Sequence, residues 1–143
     1  MTALSDDFEA KRQEGEIIEF PVKASTTIYK GALVTVDTSS GYVVPASDAA
    51  NRIFVGVALE KADNSSGSNG DETVRVFRTG TFQFNCSGAT QAWVGKKVYA
   101  SDDNTVALAA TTDNDVFVGV VVSYESSTLV KVAIDGAAFA GTD

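Results

Sequence analysis

The sequence contains no histidine, one cysteine and two prolines among 143 residues. Without histidine the commonest general base and metal ligand is missing, and neither a Ser-His-Asp nor a Cys-His arrangement can be assembled. A single cysteine, Cys86, rules out a disulfide within the chain, so stability has to come from packing or association. It reads as a small, half-buried strand residue rather than a reactive thiol. Positive charge is scarce: 11 Lys and Arg stand against 19 Asp and Glu, a net charge of −8, with no basic cluster longer than two residues. Such a surface repels phosphate backbones, which argues against nucleic acid as a partner. No apolar run exceeds seven residues, the length of Val116–Val122, against the roughly 20 of a membrane-crossing helix. No basic-then-apolar leader follows Met1.

The familiar catalytic and nucleotide-binding motifs are missing too: no G-x-S-x-G elbow, C-x-x-C pair, P-loop or dinucleotide fingerprint. Acidic pairs do occur, at Asp6-Asp7, Asp102-Asp103 and Asp113 with Asp115. All lie in an N-terminal arm or in turns, where aspartate satisfies local backbone, rather than at the set separation of a two-carboxylate site. Asp63 to Asp71, DNSSGSNGD, lacks the closing bidentate Glu of a twelve-residue calcium loop and reads as a solvated turn. The expectation is a protein without catalytic residues, metal or cofactor.

What is present is a repeat. Gly31, Val34, Val43, Phe54 and Gly56 recur as Gly95, Val98, Val106, Phe117 and Gly119, at an offset of 64 falling to 63. Each unit ends on Phe-Val-Gly-Val, and the slip falls inside a turn, where an insertion costs least. The units run over about 31–62 and 95–124 and read as one supersecondary element used twice.

Residues 1–16 are polar and acidic, with Leu4 and Phe8 to bury, and read either as a flexible arm that orders on a partner or, equally, as a disordered terminus with no role. From Ile17 the period is two, with Ile18, Phe20, Val22 and Ala24 on one face; Pro21 makes this an edge strand. Hairpins come next, over Ala32–Pro45 and Lys97–Ala109. Ile53, Val55, Val57 and Leu59 are placed on one face of a strand, with Phe54, Gly56 and Ala58 on the other. Thr73–Asn85 is a long strand whose parity breaks at Arg78 and Gly80, so it bends near Thr79-Gly80 or turns Arg78 to a subunit interface. Val116–Val122, apolar on both faces, is central or covered by a partner. Leu129–Asp135 turns Val130, Val132 and Ile134 inward. The pattern predicts an all-β fold, a compact sandwich or small barrel of about nine short strands over residues 17–136, with a tail at 137–143.

Taken together, IYKGALVTVDTSSGYVVPASDAANRIFVGVALEKADN, GDETVRVFRTGTFQF, ATQAWVGKKVYASDDNTV and FVGVVVSYESSTLVKVAIDG resemble the capsid cement, or head decoration, proteins of tailed bacteriophages. The resemblance covers about residues 17–136. It rests most on Lys30–Val34, Phe54–Ala58 and Val94–Tyr99. It implies a structural virion protein on the outer surface of the expanded capsid, bound to the major capsid protein and self-associated as a homotrimer. Nothing in it implies a membrane, nucleic acid or cofactor. The arm before Ile17 lies outside the resemblance; the expectation placed beside it is that the arm with Ile17–Ala24 clamps the shell, while part of Val116–Val122 or Thr79–Phe84 packs at the trimer axis. The residues expected at these interfaces are Phe8, Ile17, Ile18, Phe20, Arg78, Phe82, Val118 and Val120. The alternative is a carbohydrate-binding or adhesion module of a virion fibre, which needs Trp93, Tyr99 and Tyr124 exposed together.

Overall fold

A computed structural model describes residues 3–7, 9–12 and 15–135. Among the described residues there are twelve strands rather than about nine. They are β1 (Ile17–Pro21), β2 (Thr26–Ile28), β3 (Leu33–Asp37), β4 (Val43–Pro45), β5 (Arg52–Ala58) and β6 (Ala62–Asn64). After them come β7 (Thr73–Phe77), β8 (Thr79–Asn85), β9 (Lys97–Ala100), β10 (Val106–Ala107), β11 (Phe117–Ser126) and β12 (Leu129–Asp135). The extra count comes from the small β2-β6 sheet, made of strands too short for their alternation to register, and from the long 73–85 strand splitting in two at Arg78.

The duplication extends well beyond the units seen in sequence. One sheet runs β1-β7-β5-β3-β4 and the other, read from its end, β8-β12-β11-β9-β10. The order is the same, strand for strand. Each sheet curls until its first strand nearly returns to its last, where one parallel bridge joins them: Val22 to Val43, and Asn85 to Thr105. The protein is therefore two half-barrels of one topology. The strand that bends at Arg78 is the last of the first half and the first of the second, so no linker separates them.

The Phe-Val-Gly-Val segments make the curl. In β5, Val34 pairs with Gly56 but Thr35 with Phe54, leaving Val55 as an extra residue; in β11, Val118 is extra between Phe117 and Gly119. Such bulges bend the strand and reverse the parity of the residues beyond them. The single face predicted for Ile53, Val55, Val57 and Leu59 is thus corrected. Val55 and Ala58 turn into the first half-barrel, while Phe54 and Val57 face the second half. A Cβ on Gly56 would lie 2.3 Å from the Phe77 carbonyl oxygen, and one on Gly119 2.2 Å from that of Ala133. Both glycines let a neighbouring backbone approach where no side chain fits.

Two cores result. Val22, Val34, Val43, Val55, Val74 and Val76 fill the first half, capped by Ile28 and Ala62 from the β2-β6 sheet. Phe84, Val98, Val106, Val118, Val130 and Val132 fill the second, and it is closed by Leu33, Phe54 and Val57 of the first half. Each fully buried valine contributes roughly 1.5–3 kcal/mol. The predicted solvated turn at 63–71 is tied down by a side chain. Asn64 is buried, and its Nδ2 donates to the carbonyls of Val22, Lys23 and Ser68 at 3.2, 3.0 and 2.9 Å.

Candidate functional site

The joint between the halves gathers most of the residues singled out in the sequence. β1 lies at the edge of its sheet, and Arg78 N–H donates to the Glu16 carbonyl at 2.8 Å. Ile18 and Phe20 pair with Val76 and Val74 and lean inward, half-buried. Ile17, opposite Phe77, stays 42% exposed. The Phe77 ring is 5.8 Å from that of Phe82, itself 6.3 Å from Phe84. The Arg78 guanidinium sits 5.9 Å from the Phe20 ring, its Nε buried without a partner. These residues therefore form two neighbouring groups, not one: Ile17, Phe77 and Phe82 toward the second core, and Phe20 with the Arg78 cation toward the first, where Ile18 also turns.

Val118 and Val120 join neither group. Val118 is fully buried as the bulge residue of the second core, and it has no surface to offer a partner. Val120 is half-buried between Lys97 and Ala133. Phe8 lies outside the described residues.

A second feature was not legible in the sequence. A groove of about 560 Å³ opens between the halves, lined among others by Arg52, Phe54, Lys97, Tyr99, Asp115 and Phe117. Phe54 and Phe117, the twin phenylalanines of the repeat, both reach it, which is the one sequence signal that pointed there. The Lys97 ammonium lies 5.6 Å from the Phe117 ring, and the Tyr99 ring 5.8 Å. Beside the groove, Asp37 is buried and receives Lys23 Nζ at 2.6 Å and Arg52 Nη1 at 3.3 Å. The Lys23 ammonium first, then the Ser39 hydroxyl and N–H, hold its carboxyl well below the usual range.

Three aspartates bind the chain to itself. Asp102 accepts from Asn104 N–H, and Asp115 from the Thr112 hydroxyl, inside their own turns. Asp48 instead clasps the two halves: its carboxylate accepts the N–H groups of Asp113 and Asn114, both at 2.9 Å. The Asp113 N–H is the main cause that keeps Asp48 below the ordinary carboxylate range. A lowered folded value means that this contribution is complete above about pH 4 and fades as pH falls through that value. Asp48→Ala is expected to cost about 1 kcal/mol at neutral pH. It should also flatten the acid side of a plot of melting temperature against pH; an unchanged curve counts against the clasp.

Burial pushes the Cys86 thiol up, away from nucleophilic character. Among the described residues no three His, Cys, Asp or Glu side chains converge. Trp93 is buried, Tyr99 lines the groove and Tyr124 is exposed on β11, so the three aromatics do not form the shared platform a sugar-binding surface needs.

A family model described as phage cement protein matches residues 12–135. No curated protein matches the chain.

Proposed function

Since the chain belongs to the phage cement protein family, we propose that it binds the outer surface of the expanded capsid and stabilises it, with the major capsid protein as partner. The family ties the chain to the phage capsid as a structural component. The observation that carries the finer reading is that the match spans both half-barrels as one body. A brace needs a stiff body and surfaces that become buried on assembly, and many identical weak contacts over a shell add by avidity. The seam between the halves supplies the stiffness. The exposed Ile17 beside Phe77 and Phe82 supplies apolar surface next to the arm.

In this reading residues 1–16 are a separate arm, 17–136 the decoration body and 137–143 a tail, and the protein acts as a homotrimer. The test is co-sedimentation of the purified protein with expanded heads that lack it, with the mass of the free protein measured alongside. Saturable binding and a rise in the temperature at which heads rupture are expected; no binding sinks the proposal. Deleting residues 1–16 is expected to weaken binding about tenfold, as loss of one of several linked contacts does. Unchanged occupancy removes the arm from the mechanism.

A further inference from the structure

We infer that the groove between the halves is a binding site for a carboxylate carried on an extended peptide segment. At about 560 Å³ it has the size of a small-ligand pocket. Its two walls are one stretch used twice: Asn51 to Phe54 on the first half, and Asn114 to Phe117 on the second. Each wall includes a non-glycine residue with left-handed backbone, Asn51 at φ 61° and Asp115 at φ 49°. Among the described residues only Ser25 shares that conformation. Backbone held in such costly regions gathers where a surface is kept in place for a ligand.

The donors left over identify the ligand. Arg52 spends one nitrogen on the protein: Nη1 donates to the carbonyls of Ala50 and Asn51 at 3.4 and 3.3 Å, and meets Asp37 at 3.3 Å. Nε and Nη2 form the edge that grips a carboxylate with two parallel bonds. Among the described residues that edge has no acceptor, and Nε is shut off from water as well. A buried donor without an acceptor is destabilising, so the site lacks a partner that a carboxylate supplies. Lys97 adds a second cation from the strand between the walls. It is exposed, lies over the Phe117 ring, and among the described residues has no carboxylate beside it.

The acids around the groove are committed elsewhere or lie outside it. Asp37 is held by Lys23 and Arg52 Nη1. Asp115, the repeat's counterpart of Arg52, accepts the Thr112 hydroxyl at 2.6 Å. Asp48 takes the N–H groups of Asp113 and Asn114, and the Asp113 side chain is not part of the lining. The rest of the lining favours a peptide over a bare anion. Tyr99 and Phe117, both half-buried with rings 5.8 Å apart, make a floor for an apolar side chain. The Asn51 amide, exposed and unused among the described residues, faces no competitor for a peptide group. The inference concerns what the groove holds and does not rest on how the chain meets a capsid.

The test uses the full chain and three probes: acetyl-Gly-Glu-Leu-Gly-amide, the same peptide with Gln in place of Glu, and inorganic phosphate. Binding is followed by nuclear resonance shifts of the backbone amides and of the arginine Nε groups. The Glu peptide should shift Arg52 Nε and the Lys97 amide saturably. It should bind about tenfold more tightly than the Gln peptide, the worth of one charge-assisted contact. Lys97→Gln, at an exposed position, should weaken binding about fivefold, the upper range for an exposed ion pair, with its melting temperature kept. Arg52→Lys keeps a cation beside Asp37 but removes the two-bond edge, and should weaken binding about tenfold. If that variant does not fold, the wild-type Arg52 Nε resonance and Lys97→Gln still decide. Absence of saturable shifts, shifts confined to other surfaces, equal binding of the two peptides, or Lys97→Gln binding like wild type overturns the proposal. Phosphate that moves the same resonances as strongly as the Glu peptide overturns the peptide as occupant.

Discussion

Replacing Gly119 by alanine is expected to destabilise the protein by about 3 kcal/mol, at the upper end of what overpacking costs, and to lower its melting temperature by about 10 °C. The cause is local and specific. The new methyl carbon would sit 2.2 Å from the Ala133 carbonyl oxygen and 2.8 Å from a Val132 methyl. Ala133 is held in the ladder between β11 and β8, so its backbone has nowhere to move. Gly56→Ala should do the same through Phe77 and Val76, at 2.3 and 2.9 Å. Gly15→Ala, where a Cβ meets nothing within 4 Å, should leave the melting temperature unchanged. If Gly119→Ala melts like wild type, the close approach of β11 and β12 is not what fixes the bulge.

The second large effect is expected at Phe54. Its side chain is 2% exposed and belongs to the core of the other half. Phe54→Ala should cost about 3–5 kcal/mol, as deletion of a buried ring does. The loss falls on the contact between half-barrels, so a single calorimetric transition is expected to broaden or divide. Phe117→Ala makes the comparison. It is the repeat's twin position, but its ring is half-buried on the groove, and the cost should be nearer 1–2 kcal/mol. Equal losses at the two positions contradict the assignment of Phe54 to the seam.

These twins show where sequence reading succeeds and stops. The hairpins are legible because alternation and turn residues coincide, as at Val34–Val43 around Ser39-Ser40-Gly41. The edge position of β1 is legible from Pro21, and the bend near Arg78 from broken parity. The direction of Phe54 is not, because one extra residue at Val55 reverses every side chain beyond it, and a bulge leaves no mark in composition. The groove escapes because its lining is drawn from Ala49 to Phe117, segments that only the packing of one half on the other brings together. Val118 escapes for a related reason: a strand apolar on both faces looks the same whether it is covered by a partner or by its own fold.

The joint at Arg78 also closes a circle. Ile17 is placed opposite Phe77 and Asp135 opposite Thr79, so the two outer ends of the β body lie on one strand, within about 7 Å along it. The passage from β7 into β8 and the gap from β12 to β1 are matching corners of the same figure, one closed by peptide bonds and one left open. A short bridge from Asp135 to Ile17, with new termini in the exposed Ser65–Gly70 loop, would reroute the chain without altering a pair in either five-stranded sheet. The order in which the ribosome delivers the two halves is thus a choice the architecture does not dictate.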